Sequence, residues 1–287
     1  MRDYAEAVRS FHYLGAAQAA LQGELQALNA CVECCDRHTG FDKLALNWLD
    51  SEGNCEQMSF DNLQALATRF ASVLRAHGVS AGDRVAGLLP RTPQLLITIL
   101  ATWRLGAVYQ PLFTAFGPAA IEHRLHQSHA RVVVTDRSNR IKLDDVHGCP
   151  LTITVDARDG ELDFQECLEN ASPECEPVML TGDDPFLLMF TSGTTGPAKP
   201  LEVPLRAIVA FQGYMRDAID LRPEDRFWNL ADPGWAYGLY YAVTGPLSLG
   251  QATTFYNGPF SVDSCTKVII QLGINNLAGS PTAFRLL

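Results

Sequence analysis

No window of the 287-residue chain reaches the 18 apolar residues that a membrane span needs; the best candidate, "LLITILATWRLGAVYQ", is broken by Arg104 and Gly106. No basic block is present either. With 22 Lys and Arg against 32 Asp and Glu, the formal net charge is −10, a poor match for nucleic acid or an anionic membrane surface. Small polyanions stay open, because a few local donors can bind them against the global field. The N-terminus carries Asp3 and Glu6 where an export signal would be basic and then apolar, so a cytoplasmic protein is expected. Internal repeats and low-complexity tracts are absent. So is a second CxxC pair, although "CVECCDRH" places Cys31, Cys34, Cys35 and His38 close together. Adjacent cysteines on a helix cannot both face one ion, and the stretch is read as a helix burying small thiols. Without a secretory context, all eight cysteines are expected to be free.

What is present is an ordinary globular composition, 47% hydrophobic and 19% charged, in which helix and strand periods alternate. Leu63, Leu66, Ala67, Phe70, Val73 and Leu74 mark one helix face, with Gly78 placed to end it. "DRVAGLLP" reads as a buried strand, Pro93 to Trp103 as a second helix stopped by Gly106, and "AVYQP" as another strand. Pro118 to Gln127 reads as a polar helix. "RVVVTD" is a β-branched run of the kind buried on both faces, followed by "LTITVD". "PFLLMF", "RFWNLAD", "QATTFY" and "NNLAGSP" continue the strands. The helix face of Ile208, Phe211, Met215 and Ile219, an apolar segment from Tyr237 to Leu249, and the stripe of Val262, Cys265, Val268, Ile269 and Leu272 lie between them. "ALNWLDSEGNCEQMSF" has the form of a hairpin. The expectation is an α/β protein with two largely parallel sheets flanked by helices.

From Asp156 to Pro185 there are ten acidic residues against Arg158 alone. This segment is taken as a solvated connection, dividing a first subdomain over 1–155 from a second over 186–287.

Directly after "PFLLMF" comes "TSGTTGPAK". A loop leaving the C-terminal end of a buried parallel strand is where α/β proteins place ligands. Gly193 and Gly196 allow backbone N–H groups to approach an anion closely. Thr191, Ser192, Thr194 and Thr195 add hydroxyl donors, and Lys199 adds a mobile charge. The pattern is either a polyphosphate clamp or a loose Gly- and Thr-rich turn. It is not a Walker loop, since Lys199 follows Ala198 and precedes Pro200, and the dinucleotide pattern G-x-G-x-x-G is absent.

"FTSGTTGPAK" resembles the signature loop of the acyl-adenylate-forming superfamily, which includes acyl-CoA synthetases, luciferases and nonribosomal peptide adenylation domains. "LNACVECCDRH", "PLFTAFGPAAIEHRL" and "ADPGWAYGLYYAVTGPLSLGQATTFY" are similar to segments of its acetyl-CoA synthetase branch, and "GSPTAFRLL" to the run before the adenine-contacting part. The resemblance implies an acid:CoA ligase. A carboxylate and MgATP give an acyl-adenylate and pyrophosphate, and the CoA thiol then displaces AMP. ATP, Mg2+ and CoA are thereby implied as co-substrates, with a small carboxylic acid. Phosphate binding falls to Thr191, Ser192, Gly193, Thr194, Thr195, Gly196 and Lys199. The acyl pocket falls to Trp235, Ala236, Tyr237 and Gly238, although Trp235 also reads as a plain core aromatic. A bulky Tyr237, where acetate-specific relatives tend to carry a small residue, shifts the expectation to a short- to medium-chain acid. Arg137 and Arg140 in "TDRSNR" fall where relatives contact the 3′-phosphate of CoA; solvated surface arginines are the alternative.

The sequence departs from the family at Pro200, where Gly is usual; its ring biases Lys199 toward extended backbone. It also stops at Leu287, about half way through the family's unit, so the adenine loop, the Mg2+-binding glutamate, the ribose-binding aspartate and the catalytic lysine have no counterpart here. The expectations are therefore the N-terminal part of an acyl-CoA synthetase, an adenylating enzyme with a carrier-protein thiol as acceptor, or a noncatalytic nucleotide-binding or interaction module. The 287 residues alone are expected to form no adenylate, and an unpaired sheet edge favours self-association.

Overall fold

A computed structural model describes residues 4–191 and 196–287. Its strands are β1 (Leu44–Asp50), β2 (Cys55–Ser59), β3 (Arg84–Leu88), β4 (Val108–Pro111), β5 (Val132–Asp136), β6 (Leu151–Val155), β7 (Leu162–Asp163), β8 (Pro185–Thr191), β9 (Lys199–Pro204), β10 (Phe227–Asn229), β11 (Thr253–Asn257) and β12 (Asn276–Ala278). Seven of them form one sheet in the order β7-β6-β5-β3-β4-β8-β9. All neighbours in it are parallel except the last pair, β8 and β9, which form an antiparallel hairpin. A second sheet runs β11-β1-β2, with β11 parallel to β1 and β2 antiparallel in the expected hairpin. β10 and β12 pair in parallel.

The seven-stranded sheet is covered on both faces, and the β-branched run of β5 shows how. Val132 and Val134 belong to the core formed with the helices Phe60–Ala76 and Pro93–Arg104, while Val133 joins Leu88, Ile121 and Leu125 beneath the helix Pro118–Ser128. Successive side chains point to opposite faces, so a run of three valines requires a core on each face. The Phe60–Ala76 helix starts on Ser59, whose hydroxyl accepts from Asn62 N–H, and gives way to Gly78 at φ +83. Pro93 opens the next helix, and Gly106 follows it at φ +67.

Three expectations meet a different arrangement. The stretch from Lys199 onward, to which the sequence pattern assigned no strand, is β9. As an outer strand with mostly exposed side chains it tolerates Pro200 and Pro204, which would disrupt a central position. Second, the sheets do not follow the division at 156–185, because β8 and β9 complete the first sheet and β11 pairs with β1 from the other side of that division. Third, the acidic segment is not a free connection. It supplies β7 and the helix Phe164–Glu169, whose Phe164 and Leu168 are buried, and the following stretch is tied down by buried donors. Asn29 Nδ2 donates to the carbonyls of Trp103 and Val178, each at 2.8 Å. Arg104 Nε donates to the Cys175 carbonyl, and its Nη1 to Asp36 Oδ2 at 2.6 Å. Ser72 Oγ donates to the Glu174 carbonyl at 3.0 Å.

Cys31, Cys34 and Cys35 lie fully buried beside this knot, and burial pushes all three thiols up, which keeps them protonated and inert. Among the described residues, no helix is long and apolar enough to cross a membrane. The apolar segment at 237–249 runs as three consecutive pieces, Ala236–Gly238, a π-helical Leu239–Thr244, and Gly245–Ser248.

Candidate functional site

Because β5, β3, β4 and β8 are parallel, their C-terminal ends lie along one edge of the sheet, the edge where α/β folds gather ligands. Three segments converge at the β4 and β8 end of it. β4 passes from Pro111 into a turn carrying Phe113 and Phe116, the helix Pro118–Ser128 carries His123 and Arg124, and the turn after β10 carries Gly234, Trp235 and Ala236. Pro111, Phe116, Arg124, Phe190, Trp235 and Ala236 line a cleft of about 60 Å3.

The walls are aromatic. Trp235, 45% exposed, has its ring 5.3 Å from Phe113 and 5.6 Å, edge-on, from Phe116; Phe113 and Phe116 are themselves 5.8 Å apart and edge-on. The exposure of Trp235 argues against a purely core role. The close approach needs glycine at 234, because a Cβ there would lie 2.8 Å from Phe113 Cα. Two polar contacts hold the surroundings. Lys142 Nζ donates to the Thr114 carbonyl and to Asn139 Oδ1, fixing the aromatic turn. His123 Nε2 lies 2.9 Å from the Ala198 carbonyl, joining the helix to the start of β9.

Of the phosphate-loop residues expected from the sequence, Ser192, Gly193, Thr194 and Thr195 lie outside the described residues. Thr191 and Lys199 are directly opposed as the last pair of the β8–β9 hairpin, with both side chains exposed and Thr191 Oγ1 donating to the Lys199 carbonyl at 3.5 Å. Lys199 thus begins an extended strand, as the proline after it favours. Gly196 stands in open space. Since Phe190 lines the Trp235 cleft and Thr191 follows it, the expected phosphate and acyl segments adjoin.

The four residues expected to form an acyl pocket divide. Trp235 and Ala236 line the cleft. Tyr237 belongs to a neighbouring tyrosine cluster: its hydroxyl is 3.5 Å from that of Tyr214, and Tyr241 lies between them, stacked on Tyr214 at 4.1 Å. Burial, with the hydroxyl contact to Tyr214 second, pushes the Tyr237 phenol up. Gly238 is buried, and a Cβ there would meet the Asp232 carbonyl oxygen at 2.1 Å, so it is required by packing.

Arg137 and Arg140 follow β5 on the same edge, three strands from β8 or roughly 14 Å at ordinary strand spacing. Both are engaged within the chain. Arg137 Nε donates to the Asp156 carbonyl at 2.6 Å, and Arg140 contacts Asp144 at 2.6 Å and Glu161 at 3.1 Å. A larger, open cavity of about 590 Å3 lies near the far edge of the sheet, between the end of the Phe60–Ala76 helix and the Phe164–Glu169 helix. Its Asp163 caps the latter helix and its Glu161 is held by Arg140, so two of its carboxylates are already engaged. The residues that sequence reading passed over are Phe113, Phe116, His123 and Arg124. An aromatic pair just before a Gly-Pro helix start was a usable signal for the first two.

The profile of the AMP-binding enzyme family matches residues 33–287. The acetyl-coenzyme A synthetase of Bacillus subtilis (strain 168) is 33% identical over 297 residues, covering 100% of this chain and 52% of that protein. The acetyl-coenzyme A synthetase of Salmonella typhi is 32% identical over 291 residues, covering 91% and 44%. The crystal structure of a Brucella canis acyl-CoA synthetase superposes with a TM-score of 0.96 at 50% identity, covering 100% of this chain and 54% of that one. The chain spans about half the length of the relatives it matches. With a matched region running through both main sheets and the cleft between β4, β8 and Trp235, the chain belongs to the AMP-binding enzyme family.

Proposed function

We propose that this chain forms the N-terminal part of an ATP-dependent acid:CoA ligase that activates a short- to medium-chain carboxylic acid as acyl-AMP and passes the acyl group to CoA. The observation that carries the reading is the adjacency of the β8–β9 hairpin, whose end pair is Thr191 and Lys199, and the Trp235 cleft at one sheet edge, in a chain that matches the AMP-binding family over residues 33–287. In this reading Thr191, Ser192, Gly193, Thr194, Thr195, Gly196 and Lys199 hold the β- and γ-phosphates. Trp235 and Ala236 bound the acyl group, with Tyr237 behind them. Arg137 and Arg140 would meet the 3′-phosphate of CoA only by exchanging their present carbonyl and carboxylate partners for it.

The chemistry follows from charge. A carboxylate attacking an α-phosphate requires the mutual repulsion reduced and the pyrophosphate held as it leaves; backbone N–H groups, hydroxyls and a lysine supply both. A small apolar cleft favours a compact acid with little polar surface. Mg2+ accompanies ATP as part of the substrate. Among the described residues no three His, Cys, Asp or Glu side chains converge, so none is assigned to the ion.

Exchange of labelled pyrophosphate into ATP, measured with the full-length polypeptide that carries this sequence, tests the reading across acids from acetate to long fatty acids. Exchange with short- and medium-chain acids supports it. Exchange with long fatty acids alone overturns the substrate class, and no exchange with any acid overturns the activity.

A further inference from the structure

Arg124 sits on the inner side of the Pro118–Ser128 helix and lines the Trp235 cleft. Its guanidinium lies 4.1 Å from the centre of the Phe116 ring and 5.5 Å from that of Phe190. Nη1 donates to the Ala120 carbonyl one helical turn back, at 2.8 Å. Nε and Nη2 have no acceptor among the described residues. By contrast, the partly buried Arg37, Arg104 and Arg140 each place a nitrogen 2.6 Å from a carboxylate oxygen.

A partly buried cation without a counter-charge is an expense that structure alone does not explain. Ring faces offset part of it. Burial lowers the affinity of Arg124 for its proton with no opposing charge in play, which agrees with a cation lacking a partner. The pieces around it are anchored independently. Lys142 holds the turn bearing Phe113 and Phe116, and the neighbouring His123 holds Ala198. The donor fork is therefore presented in a prearranged, mostly apolar wall. At about 60 Å3 the cleft has room for a carboxylate or a single phosphoryl group, not for a nucleotide.

We propose that Arg124 is the anion-receiving residue of the Trp235 cleft, binding a small planar or tetrahedral oxyanion through Nε and Nη2 while Phe116 and Phe190 fix the plane of its guanidinium. The inference rests on the reading of that cleft as the acid side of the site, and it adds a binding residue to it. The oxyanion is either the carboxylate of an apolar acid or a phosphoryl group.

The test is calorimetric titration of the 287-residue chain with acetate, octanoate, benzoate, inorganic phosphate, pyrophosphate and AMP, in the wild type and in Arg124→Met, Arg124→Lys and Lys199→Gln. Met keeps much of the packing over Phe116 without charge, and Lys keeps the charge without the flat fork. With melting curves matching the wild type, Arg124→Met is expected to weaken binding about tenfold or more, the worth of a charge-assisted pair; Arg124→Lys is expected to recover part of it. Loss confined to the three carboxylates identifies the acid as the source, and loss confined to phosphate, pyrophosphate and AMP identifies the phosphoryl group. Wild-type affinity for every probe in Arg124→Met overturns the proposal, as does a wild type that binds none of them. Failure of the underlying reading shows elsewhere, as absent pyrophosphate exchange and AMP binding insensitive to Lys199→Gln.

Discussion

Arg104 ends one helix and Arg124 lies within another, on opposite faces of one sheet, and the chain treats their charges in opposite ways. Arg104 is enclosed in a finished knot, with Asp36 on one nitrogen, the Cys175 carbonyl on another, and Asn29 tying the same segment from the other side. Arg124 is left with a ring beneath it and open donors. The contrast separates two uses of a buried cation: satisfied within the chain it fixes the fold, unsatisfied it prepares a site.

The comparison can be broken most directly at Arg104. Arg104→Ala strands the Asp36 carboxylate and the Cys175 carbonyl and is expected to cost about 3–5 kcal/mol in urea unfolding. His38, in the same region, gives the knot a pH signature. Burial first, then Arg37 and Lys43, push its pKa down from 6.5 to about 4. The unfolded chain therefore takes up a proton that the folded chain refuses. The stability contributed by neutral His38 is full above pH 6.5 and is lost as pH falls from 6.5 toward 4. Urea midpoints over that window should drop in the wild type and drop less in His38→Gln.

On the cleft side, Gly238→Ala forces a methyl against the Asp232 carbonyl and is expected to cost about 1–3 kcal/mol while altering the near-ultraviolet circular dichroism through Trp235. The smallest effect belongs to Arg140→Ala. Its pairs with Asp144 and Glu161 are partly exposed, and about 0–1 kcal/mol is expected by the same unfolding measurement. A larger loss would move Arg140 into the class of Arg104.

Local signals read well from the sequence because local physics decides them. The 3.6-residue faces, Pro93 opening a helix, Gly78 and Gly106 closing two, and the β-branched run of β5 all lie where the pattern puts them. β9 escaped because an outer strand needs neither an alternating face nor every N–H, so "KPLEVP" carries no strand signal. Which strands share a sheet was also invisible: β8 pairing with β4, or β11 with β1, depends on long-range partners that no local period encodes. In the site, motif position drew attention to Arg137 and Arg140, whose charges turn out to be held by nearby acceptors. Arg124, on a helix read as polar, shows its character only once Phe116 and Phe190 are seen beside it.

The helix that follows Trp235 passes through a π-helical stretch at Leu239–Thr244, in which Thr244 Oγ1 and Gly245 N–H reach back five residues to the carbonyls of Leu239 and Tyr240. Each such widened turn holds one residue more than an α-helix would, so the surplus is taken up without turning the segment that begins at Trp235 away from the helix end at Ser248. In ordinary α-winding one added residue would swing everything before it by about 100° about the helix axis. Tyr237, before the widened stretch, and Tyr241, inside it, both keep contact with Tyr214. Chain length is thus accommodated locally: one surplus residue sits in the widened turn, and the wall that carries Trp235 keeps its direction.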